Sequence, residues 1–368
     1  MSRRQSDDLR FMQRALALAG RGRGRTSPNP VVGAVIVQGG RVVGQGWHRA
    51  LGGPHAEAEA LARAGSRARG ATMYVTLEPC AHVGRTPPCV DAIIEAGIKR
   101  CVVAVRDPHR IVNGRGLRRL RQAGVKVELG LAAAEARETM GGYWLAHTRG
   151  RPRVTLKLAA SLDGRIAPSG GFAARGRGRW LTGAEARARV HHMRAEVDAI
   201  VIGAGTALAD DPRLTARGVG AARQPLRIVC DSQLRLPLRL RLFGPALAHG
   251  TVVACGPRAT RRAQAALERR GVEVWRLPAG RGGVSPAALL RRLARLGRHE
   301  VMLEGGARLA SSWLAAGVVD RLALFTAPTV IGQGGRSWSP RLRAPRAGAT
   351  MAQGRVGDDL WSLVRLGA

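Results

Sequence analysis

The alternation of short apolar runs with helical segments is the feature that most constrains the fold of this chain. In the first half, "VVGAVIVQGGRVVGQGWH" contains two apolar runs around Gly39 and Gly40, which predicts a β-hairpin. The segment "HAEAEALARAG" predicts a helix that stops at Gly65. Strand patterns in "ATMYVTLE", "RCVVAVRD" and "VKVELG" are separated by further helical patterns. This order predicts an α/β domain with a helix-covered sheet.

The second half repeats this alternation after a polar break. The segment "AHTRGRP" at 146–152 contains Gly, Pro and polar residues, so we predict domains at 1–147 and 152–368. Beyond the break, "RPRVTLKLAASLDGRIA" and "AIVIGAG" predict strands, and "HEVMLEGGARLASSWL" predicts a strand, a glycine loop and a helix. A chain of 368 residues suits two such domains.

The formal net charge of +35 comes almost wholly from arginine. Of 60 basic residues only Lys99, Lys126 and Lys157 are lysines, and the other 57 are arginines scattered along the chain. They are not grouped in one stripe with aromatic residues, the pattern that is typical of nucleic-acid binding. A coding bias or anionic small substrates explain the excess equally well. We therefore expect small phosphorylated partners rather than nucleic acid, and leave a homo-oligomer open.

Cysteine usage and hydropathy predict a cytoplasmic protein. The five cysteines are an odd number in a large chain and do not form a disulfide framework. The sequence contains no run of about 18 apolar residues, so it predicts no membrane span. The N-terminal segment indicates an amphipathic helix rather than a signal peptide. Cys101, Cys230 and Cys255 lie in apolar strand patterns, and we expect them to be core residues.

His55, Glu57, Cys80 and Cys89 form the pattern that carries chemistry. One imidazole and two thiolates are ligands that zinc prefers, and three protein ligands leave a fourth position for water. Glu57 lies two residues after His55, so it can act on that water as a general acid and base, as in nucleobase deaminases. A polar helix face and two buried thiols are the alternative interpretation, but the joint order of the motifs favours zinc.

The spacing between the two cysteines departs from the short form of this motif. Eight residues, "AHVGRTPP", separate Cys80 from Cys89. His82 within this insert is a rival zinc ligand. The other interpretation is that the insert covers the metal, with His82 and Arg85 facing a substrate.

Several motifs resemble the bifunctional riboflavin-biosynthesis deaminase/reductase family. The stretches "SPNPVVGAVIV", "GPHAEAEAL", "VTLEPCAHVGRTPPC" and "DPHRIVNGRGLRRLRQAGV" are similar to its deaminase half. The stretches "LKLAASLDGRIA", "DSQLRLP" and "LEGGARLASSWL" are similar to its reductase half. The resemblance covers essentially the whole chain in the right order. It implies a cytidine-deaminase-like domain followed by a dihydrofolate-reductase-like domain, both α/β.

The resemblance also implies two successive reactions. In the first, zinc-dependent hydrolysis removes an amine from 2,5-diamino-6-(5-phosphoribosylamino)pyrimidin-4-one. In the second, NADPH reduces the ribosyl group of 5-amino-6-(5-phosphoribosylamino)uracil to ribityl. Three alternatives stay open at this point: a deaminase with an impaired reductase domain, a nucleic-acid base deaminase, and a non-enzymatic protein with a structural zinc.

The resemblance assigns roles to residues of the first half. It makes Glu57 the proton shuttle and gives zinc the ligands His55, Cys80 and Cys89. Candidate contacts to the deaminase substrate are Asn29, His48, His82, Arg85 and Asp107. Asn29 could instead serve only as a turn residue, His48 as a structural histidine and Arg85 as a solvated side chain. His109 stands where the family often has asparagine, which puts that contact in doubt.

Roles in the second half follow in the same way. The NADPH diphosphate is expected at the start of the helix after the glycine loop, at Gly306, Ala307, Arg308, Leu309, Ala310, Ser311 and Ser312. Further cofactor contacts are expected at Ala159, Trp180, Thr206, Asp210 and Ser232. Contacts to the reductase substrate are expected at Gly178, Arg194, Leu214, Arg217 and Glu304. Gly178 replaces the usual serine, so a hydroxyl contact is lost there or an adjacent arginine substitutes. Lys157 and Asp163 receive no role.

Overall fold

A computed structural model describes residues 3–82, 87–169, 180–280, 282–338 and 346–367 of the chain. The chain divides into two compact units, Met1–Gly150 and Arg151–Ala368. The first unit ends a few residues later than the predicted first domain. The reason is that its last helix continues to Arg149, and Gly150 then ends that helix in the left-handed conformation.

The first unit contains one five-stranded sheet within its described residues. The strand order is β2-β1-β3-β4-β5, in which β1 pairs antiparallel with β2 and β3, whereas β3, β4 and β5 run parallel. The strands are β1 Gly33–Gln38, β2 Arg41–Trp47, β3 Thr72–Val75, β4 Arg100–Val103 and β5 Lys126–Leu129. The helices are α1 Arg3–Gly20, α2 Ala56–Ala64, α3 Cys89–Glu95, α4 Arg115–Gln122, α5 Ala133–Thr139 and α6 Gly141–Arg149.

Local sequence explains two of these elements directly. The predicted hairpin is confirmed, because β1 and β2 are joined by Gly39 and Gly40, both with positive φ. Helix α2 ends as predicted at Gly65, which also has a positive φ. Helix α1 is amphipathic and buries one face against the sheet. Among the described residues, no helix combines the length and the apolar character that crossing a membrane requires.

Side chains alternate between the two faces of the first sheet, as the strand periodicity requires. Ala34 and Ile36 of β1 pack against α2, α3 and α4, whereas Val35 and Val37 pack against α1, α5 and α6. The unit therefore has three layers, with helices on both faces of the sheet. This arrangement leaves the carboxyl ends of β3 and β4 side by side at one edge.

The second unit contains a nine-stranded sheet within its described residues. Its strands are β6 Arg153–Ser161, β7 Arg165–Ala167, β8 Ala199–Gly203, β9 Leu226–Cys230, β10 Thr251–Cys255, β11 Glu273–Arg276, β12 Ala279–Gly280, β13 Gly283–Val284, β14 Glu300–Leu303, β15 Arg321–Ala327, β16 Arg336–Ser337, β17 Gly348–Val356 and β18 Asp359–Leu366. Its helices are α7 Ala184–Glu196, α8 Ala204–Asp210, α9 Pro245–Ala248, α10 Arg261–Glu268, α11 Pro286–Arg295 and α12 Ala307–Ala315.

The order of the large sheet is β11-β10-β9-β8-β14-β6-β15-β18-β17. Its first seven strands run parallel, and the C-terminal hairpin of β17 and β18 adds two antiparallel strands. The strand predicted over "AIVIGAG" is shorter than expected. It ends at Gly203, and α8 begins at Ala204. The strands β6, β8, β9 and β14 are neighbours, so their carboxyl ends also share one edge.

An ion-pair network joins three elements of the first unit. Arg100 on β4 makes a two-bond contact with each of two carboxylates, Asp8 of α1 and Glu128 of β5. The Tyr74 hydroxyl donates a further hydrogen bond to Asp8 Oδ1. The hydrogen bonds from Arg100 hold the pKa of Asp8 and that of Glu128 below their ordinary values.

This network predicts a pH dependence of stability. A carboxylate whose pKa is lowered by folding stabilises the fold at neutral pH, and that contribution is lost as the pH falls below about 4 and through the folded pKa. We expect Asp8→Asn to lower the free energy of unfolding by about 2 kcal/mol at pH 7 and to weaken its decline with acid. Urea unfolding at pH 7 and near pH 3 measures both effects.

Asp7→Asn is the matched control, because Asp7 is a half-exposed neighbour whose ion pair with Arg10 lies at the surface. Its unfolding curve should follow that of the wild type at both pH values. Equal loss of stability in the two variants would contradict the role of the buried network.

Candidate active sites

Three zinc-ligand side chains from separate elements meet in the first unit. His55 immediately precedes α2, Cys80 follows β3, and Cys89 is the first residue of α3. Their ligand atoms, one from each residue, lie within 4.8 Å of one another. His55 Nδ1 is 3.2 Å from Cys89 Sγ and 3.6 Å from Cys80 Sγ. The structure thus brings together the three side chains that the sequence predicts as ligands.

The geometry of these atoms fits tetrahedral zinc. With Zn–N near 2.0 Å and Zn–S near 2.3 Å, a tetrahedral angle places a nitrogen and a sulfur ligand about 3.6 Å apart. The two observed nitrogen–sulfur distances, 3.2 and 3.6 Å, are close to that value. One imidazole and two thiols are also the donor set of a catalytic site with one further position. The residues present therefore fit zinc.

The protonation of the two thiols is coupled. A hydrogen bond shared with Cys89 lowers the pKa of Cys80, and the same bond together with burial raises the pKa of Cys89. The hydrogen bond with Cys80 also raises the pKa of His55. A divalent cation among these atoms would favour both thiolates and the neutral imidazole, since it replaces the shared proton.

Glu57 lies beside this cluster on the first turn of α2. Its side chain is only 4% exposed, and its carboxyl group lies close enough to Cys89 for the thiol to act on its pKa. Burial raises the pKa of Glu57 to about 7. A buried carboxyl group next to an open ligand position is the arrangement that the sequence predicts for a proton shuttle.

Asn29 and His48 form one wall next to the cluster. Asn29 Nδ2 lies 3.2 Å from His48 Nε2, and His48 Nδ1 lies 2.9 Å from the Pro54 carbonyl oxygen. Because burial lowers the pKa of His48, the neutral ring donates from Nδ1 and accepts at Nε2. The His48 and His55 rings are edge to face, with centroids 5.4 Å apart. His48 thus contacts both His55 and Asn29.

Glu78 ties the Cys80 loop to the loop that follows β4. Its buried carboxylate accepts hydrogen bonds from the backbone N–H groups of Asp107, Gly114, Gly116 and Leu117, at 2.9 to 3.3 Å. The last two donors lie in the first turn of α4, where a negative charge is favourable. The sequence analysis assigned no role to Glu78, because its partners lie about thirty residues further along the chain.

The other predicted residues of the deaminase site have different outcomes. Asp107 is 5% exposed, and burial raises its pKa. His82 is exposed and does not belong to the cluster of ligand atoms found among the described residues. Arg85 lies outside the described residues. The contacts of Asp107 and His82 with a substrate stay predictions.

The glycine loop of the second unit precedes a helix whose first backbone amides can bind an anion. Gly306 precedes α12 without a side-chain cap, and its N–H donates to Thr206 Oγ1 at 3.0 Å. The amides of Leu309 and Ala310 donate to the Gly306 carbonyl oxygen, which leaves the amides of Ala307 and Arg308 at the helix start for an anion. A Cβ on Gly305 would lie 2.8 Å from Leu309. Glycine therefore suits this tight turn, and the amides at the helix start suit the diphosphate of NADPH.

The remaining predicted cofactor residues are spread around the same edge. They lie on or after β6, β8 and β9, whose carboxyl ends share one edge of the sheet with that of β14: Ala159, Thr206, Asp210 and Ser232. Trp180 is 64% exposed, and the Arg187 guanidinium lies 5.4 Å from its ring. The side chains of Ala310 and Ser311 are buried, whereas Ser312 donates to the Leu309 carbonyl oxygen. Their roles toward a cofactor stay predictions.

The predicted residues for the reductase substrate surround one ion pair. Arg194 of α7 binds Glu304 through two hydrogen bonds of 2.7 Å. Arg194 also donates to the Thr215 carbonyl oxygen, and Thr215 lies between the predicted contacts Leu214 and Arg217. Leu214 is buried with a positive φ of 51°, and Arg217 is exposed. Gly178 lies outside the described residues.

Comparisons with known proteins find family matches in both units. The family model for the zinc-binding region of cytidine and deoxycytidylate deaminases matches residues 5–105, and the model for the RibD C-terminal domain matches residues 152–346. A riboflavin biosynthesis protein RibD of Aquifex aeolicus is 42% identical over 89% of this chain and 88% of its own length. This chain belongs to the RibD family.

Other relatives cover the chain equally well. The RibD of Escherichia coli is 41% identical over 89% of this chain and 90% of its own length. A structure of Acinetobacter baumannii RibD has a TM-score of 0.85 and 36% identity, and covers 99% of this chain and all of that one. A Thermotoga maritima structure, a diaminohydroxyphosphoribosylaminopyrimidine deaminase/5-amino-6-(5-phosphoribosylamino)uracil reductase, has a TM-score of 0.82 and 33% identity, with coverages of 99% and 100%.

Membership of the RibD family confirms the predicted fold class and enzyme class. A cytidine-deaminase-like domain is followed by a reductase domain, and the protein is an enzyme of riboflavin biosynthesis that uses zinc and NADPH.

The structure also places Lys157, for which the sequence indicated no role, near the predicted reductase residues. Lys157 on β6 lies close enough to Glu304, Arg194 and Asp210 for their charges to act on its pKa, which burial lowers. The available signal was a lysine in an otherwise apolar strand of a chain with only three lysines.

Gly116 provides a test of how the Cys80 loop is held. A Cβ at this position would lie 2.0 Å from the Pro79 carbonyl oxygen, directly before Cys80. We expect Gly116→Ala to displace Cys80, to destabilise the unit by about 2 kcal/mol or more, and to lower the zinc content below one per chain. Metal analysis of the purified protein and a thermal melt measure these changes.

Gly20→Ala is the matched control, because a Cβ there meets no atom within 4 Å and Gly20 does not have a positive φ. It should keep full zinc content. Full zinc content in Gly116→Ala would show that the loop does not depend on this close approach.

Proposed function

We propose that this chain catalyses both reactions implied by its resemblance. The first unit would deaminate 2,5-diamino-6-(5-phosphoribosylamino)pyrimidin-4-one. The second would reduce the ribosyl group of 5-amino-6-(5-phosphoribosylamino)uracil with NADPH. The observation that carries the proposal is the cluster of His55, Cys80 and Cys89 with buried Glu57 beside it.

Deamination needs a proton to move from water to the leaving amine, and Glu57 is placed to carry it. Zinc held by His55, Cys80 and Cys89 would act as a Lewis acid and lower the pKa of a water molecule at that place. Glu57 accepts the proton of the attacking water at its carboxylate and donates it to the amine, which leaves as ammonia. The ring carbon gains the water oxygen as a carbonyl group, and the second proton of the water ends on the adjacent ring nitrogen.

Asn29 and His48 would orient the pyrimidine. The Asn29 amide carries both a donor and an acceptor, and His48 holds its ring through the Pro54 carbonyl oxygen. Neither group needs to titrate for this role, since burial keeps His48 neutral. Hydrogen-bond recognition of a heterocycle by fixed neutral groups also excludes substrates that lack the matching donors and acceptors.

In the second unit, the start of α12 would hold the cofactor. NADPH supplies a hydride for reduction of the ribosyl carbon that bears nitrogen. The uncapped amides of Ala307 and Arg308 would bind its diphosphate. Arg194 fixes the Glu304 carboxylate, and Lys157 lies near it. Together they form a charged wall suited to the polar groups of a pyrimidine.

We further propose that the partners are small phosphorylated molecules and that the protein works in the cytoplasm. Many arginines are engaged in ion pairs or in contacts with aromatic rings, as Arg49 is with Glu59 and Trp47. The five cysteines are free thiols, which suits a reducing compartment. Neither the engaged arginines nor the free thiols require a nucleic-acid partner. The oligomeric state is left open.

Glu57→Gln tests the proton shuttle. The amide keeps the shape of the side chain but cannot carry the proton, so we expect ammonia release to fall at least about 100-fold while zinc content and NADPH oxidation persist. Glu59→Gln is the matched control on the same helix, because Glu59 pairs with Arg49 and Arg63 instead. Deamination that survives Glu57→Gln would exclude Glu57 as the shuttle.

Glu304→Gln tests the reductase site. The change removes the negative charge that Arg194 orients, so we expect kcat/KM for NADPH oxidation to fall about 10-fold or more while deamination is unchanged. Glu300→Gln is the control, because Glu300 makes a similar two-bond pair with Arg153 at the other end of β14. An equal fall in both variants would attribute the effect to stability rather than to the site.

A further inference from the structure

Tyr143 and His147 lie one turn apart on α6 and contact the loop that follows β4. The Tyr143 hydroxyl donates a hydrogen bond of 2.9 Å to Asp107 Oδ1. The His147 ring packs against the rings of Tyr143 and His109, with a centroid distance of 4.4 Å in each case. The helix and the loop are therefore joined by the hydrogen bond from Tyr143 to Asp107 and by the ring contact between His147 and His109.

Both hydrogen bonds to the Asp107 carboxylate fall on the same oxygen. The His109 N–H donates to Oδ1 at 2.8 Å, and Tyr143 donates to Oδ1 as well. Within the described parts of the chain, no hydrogen bond reaches Oδ2. Oδ2 is thus the oxygen left to accept a hydrogen bond from a ligand, and an N–H group is the donor that an aminopyrimidine offers.

The backbone and the side chain of Asp107 are held by different residues. Glu78 binds the Asp107 N–H at 3.1 Å and so fixes the position of the loop. It does not fix the rotation of the carboxylate group, whose terminal torsion is broad in the absence of a partner. The His109 N–H of the same loop supplies one partner, and Tyr143 supplies a second from a helix outside residues 5–105, the region that the deaminase family model matches.

We propose that Tyr143 is a positioning residue of the deaminase site, whose hydroxyl holds the Asp107 carboxylate so that Oδ2 is presented to the pyrimidine. This inference rests on the proposed function, because it takes Asp107 as a substrate contact. His147 supports the Tyr143 ring, so that the hydroxyl stays directed at the carboxylate.

Tyr143→Phe tests this role, because it removes the hydroxyl and keeps the ring that packs on His147. We expect KM for deamination to rise about tenfold and kcat to change by less than about twofold, with zinc content and reductase kinetics unchanged. The chain has two tyrosines, and Tyr74→Phe is the matched control. Tyr74 also donates to a buried carboxylate, that of Asp8, and its variant should keep the wild-type KM.

A double-mutant cycle shows whether Tyr143 acts through Asp107. We expect Asp107→Asn to raise KM and the added Tyr143→Phe change to raise it no further. A full additional tenfold rise, an equal rise in Tyr74→Phe, or an unchanged KM in Tyr143→Phe would overturn the role of Tyr143. A wild-type chain that releases no ammonia would contradict the proposed function itself, and the inference with it.

Discussion

The Glu78 carboxylate accepts four backbone hydrogen bonds and so joins the two loops from which the deaminase site is built. One loop carries Cys80, and the other carries Asp107. A buried carboxylate is stable only when hydrogen-bond donors replace the water that it loses. Here the donors are backbone amides, so the same hydrogen bonds hold both loops in place. The close approach of Gly116 to Pro79 depends on the same contact. The position of Cys80 therefore depends on one anionic side chain whose partners are backbone amides of this chain.

In the second unit, the predicted site residues lie at the carboxyl ends of parallel strands. Residues on or after β6, β8 and β14 converge there, as expected for ligand sites on such sheets. The Thr206 hydroxyl oxygen accepts a hydrogen bond from the Gly306 N–H, and Arg194 fixes Glu304 through two hydrogen bonds. In both units, the strands set the positions of the site residues, and polar contacts between loops set the orientation of their side chains. The chain thereby carries two different chemistries on two α/β sheets.

The sequence predicted those features whose signals are local or whose residue types are distinctive. Gly39 and Gly40 indicated the hairpin, and the order of the histidine and cysteine motifs indicated which ligand side chains come together. It did not reveal Glu78 or Tyr143, because their partners lie about 30 residues or more away and no local pattern encodes them. The C-terminal hairpin was missed for a related reason: strand β17, "GATMAQGRV", is mostly exposed and lacks an apolar alternation. The end of the strand at Gly203 was also misplaced, since "AIVIGAG" is apolar on both sides of the helix start.

The central claim is that one chain performs deamination and reduction in succession. The direct measurement supplies the purified zinc-loaded protein with the diaminopyrimidine phosphate, with and without NADPH, and follows ammonia and NADPH together. The account predicts ammonia release without NADPH and, when NADPH is present, the oxidation of about one NADPH per ammonia after a lag. NADPH oxidation that precedes ammonia release, or ammonia release with no oxidation at all, would contradict it.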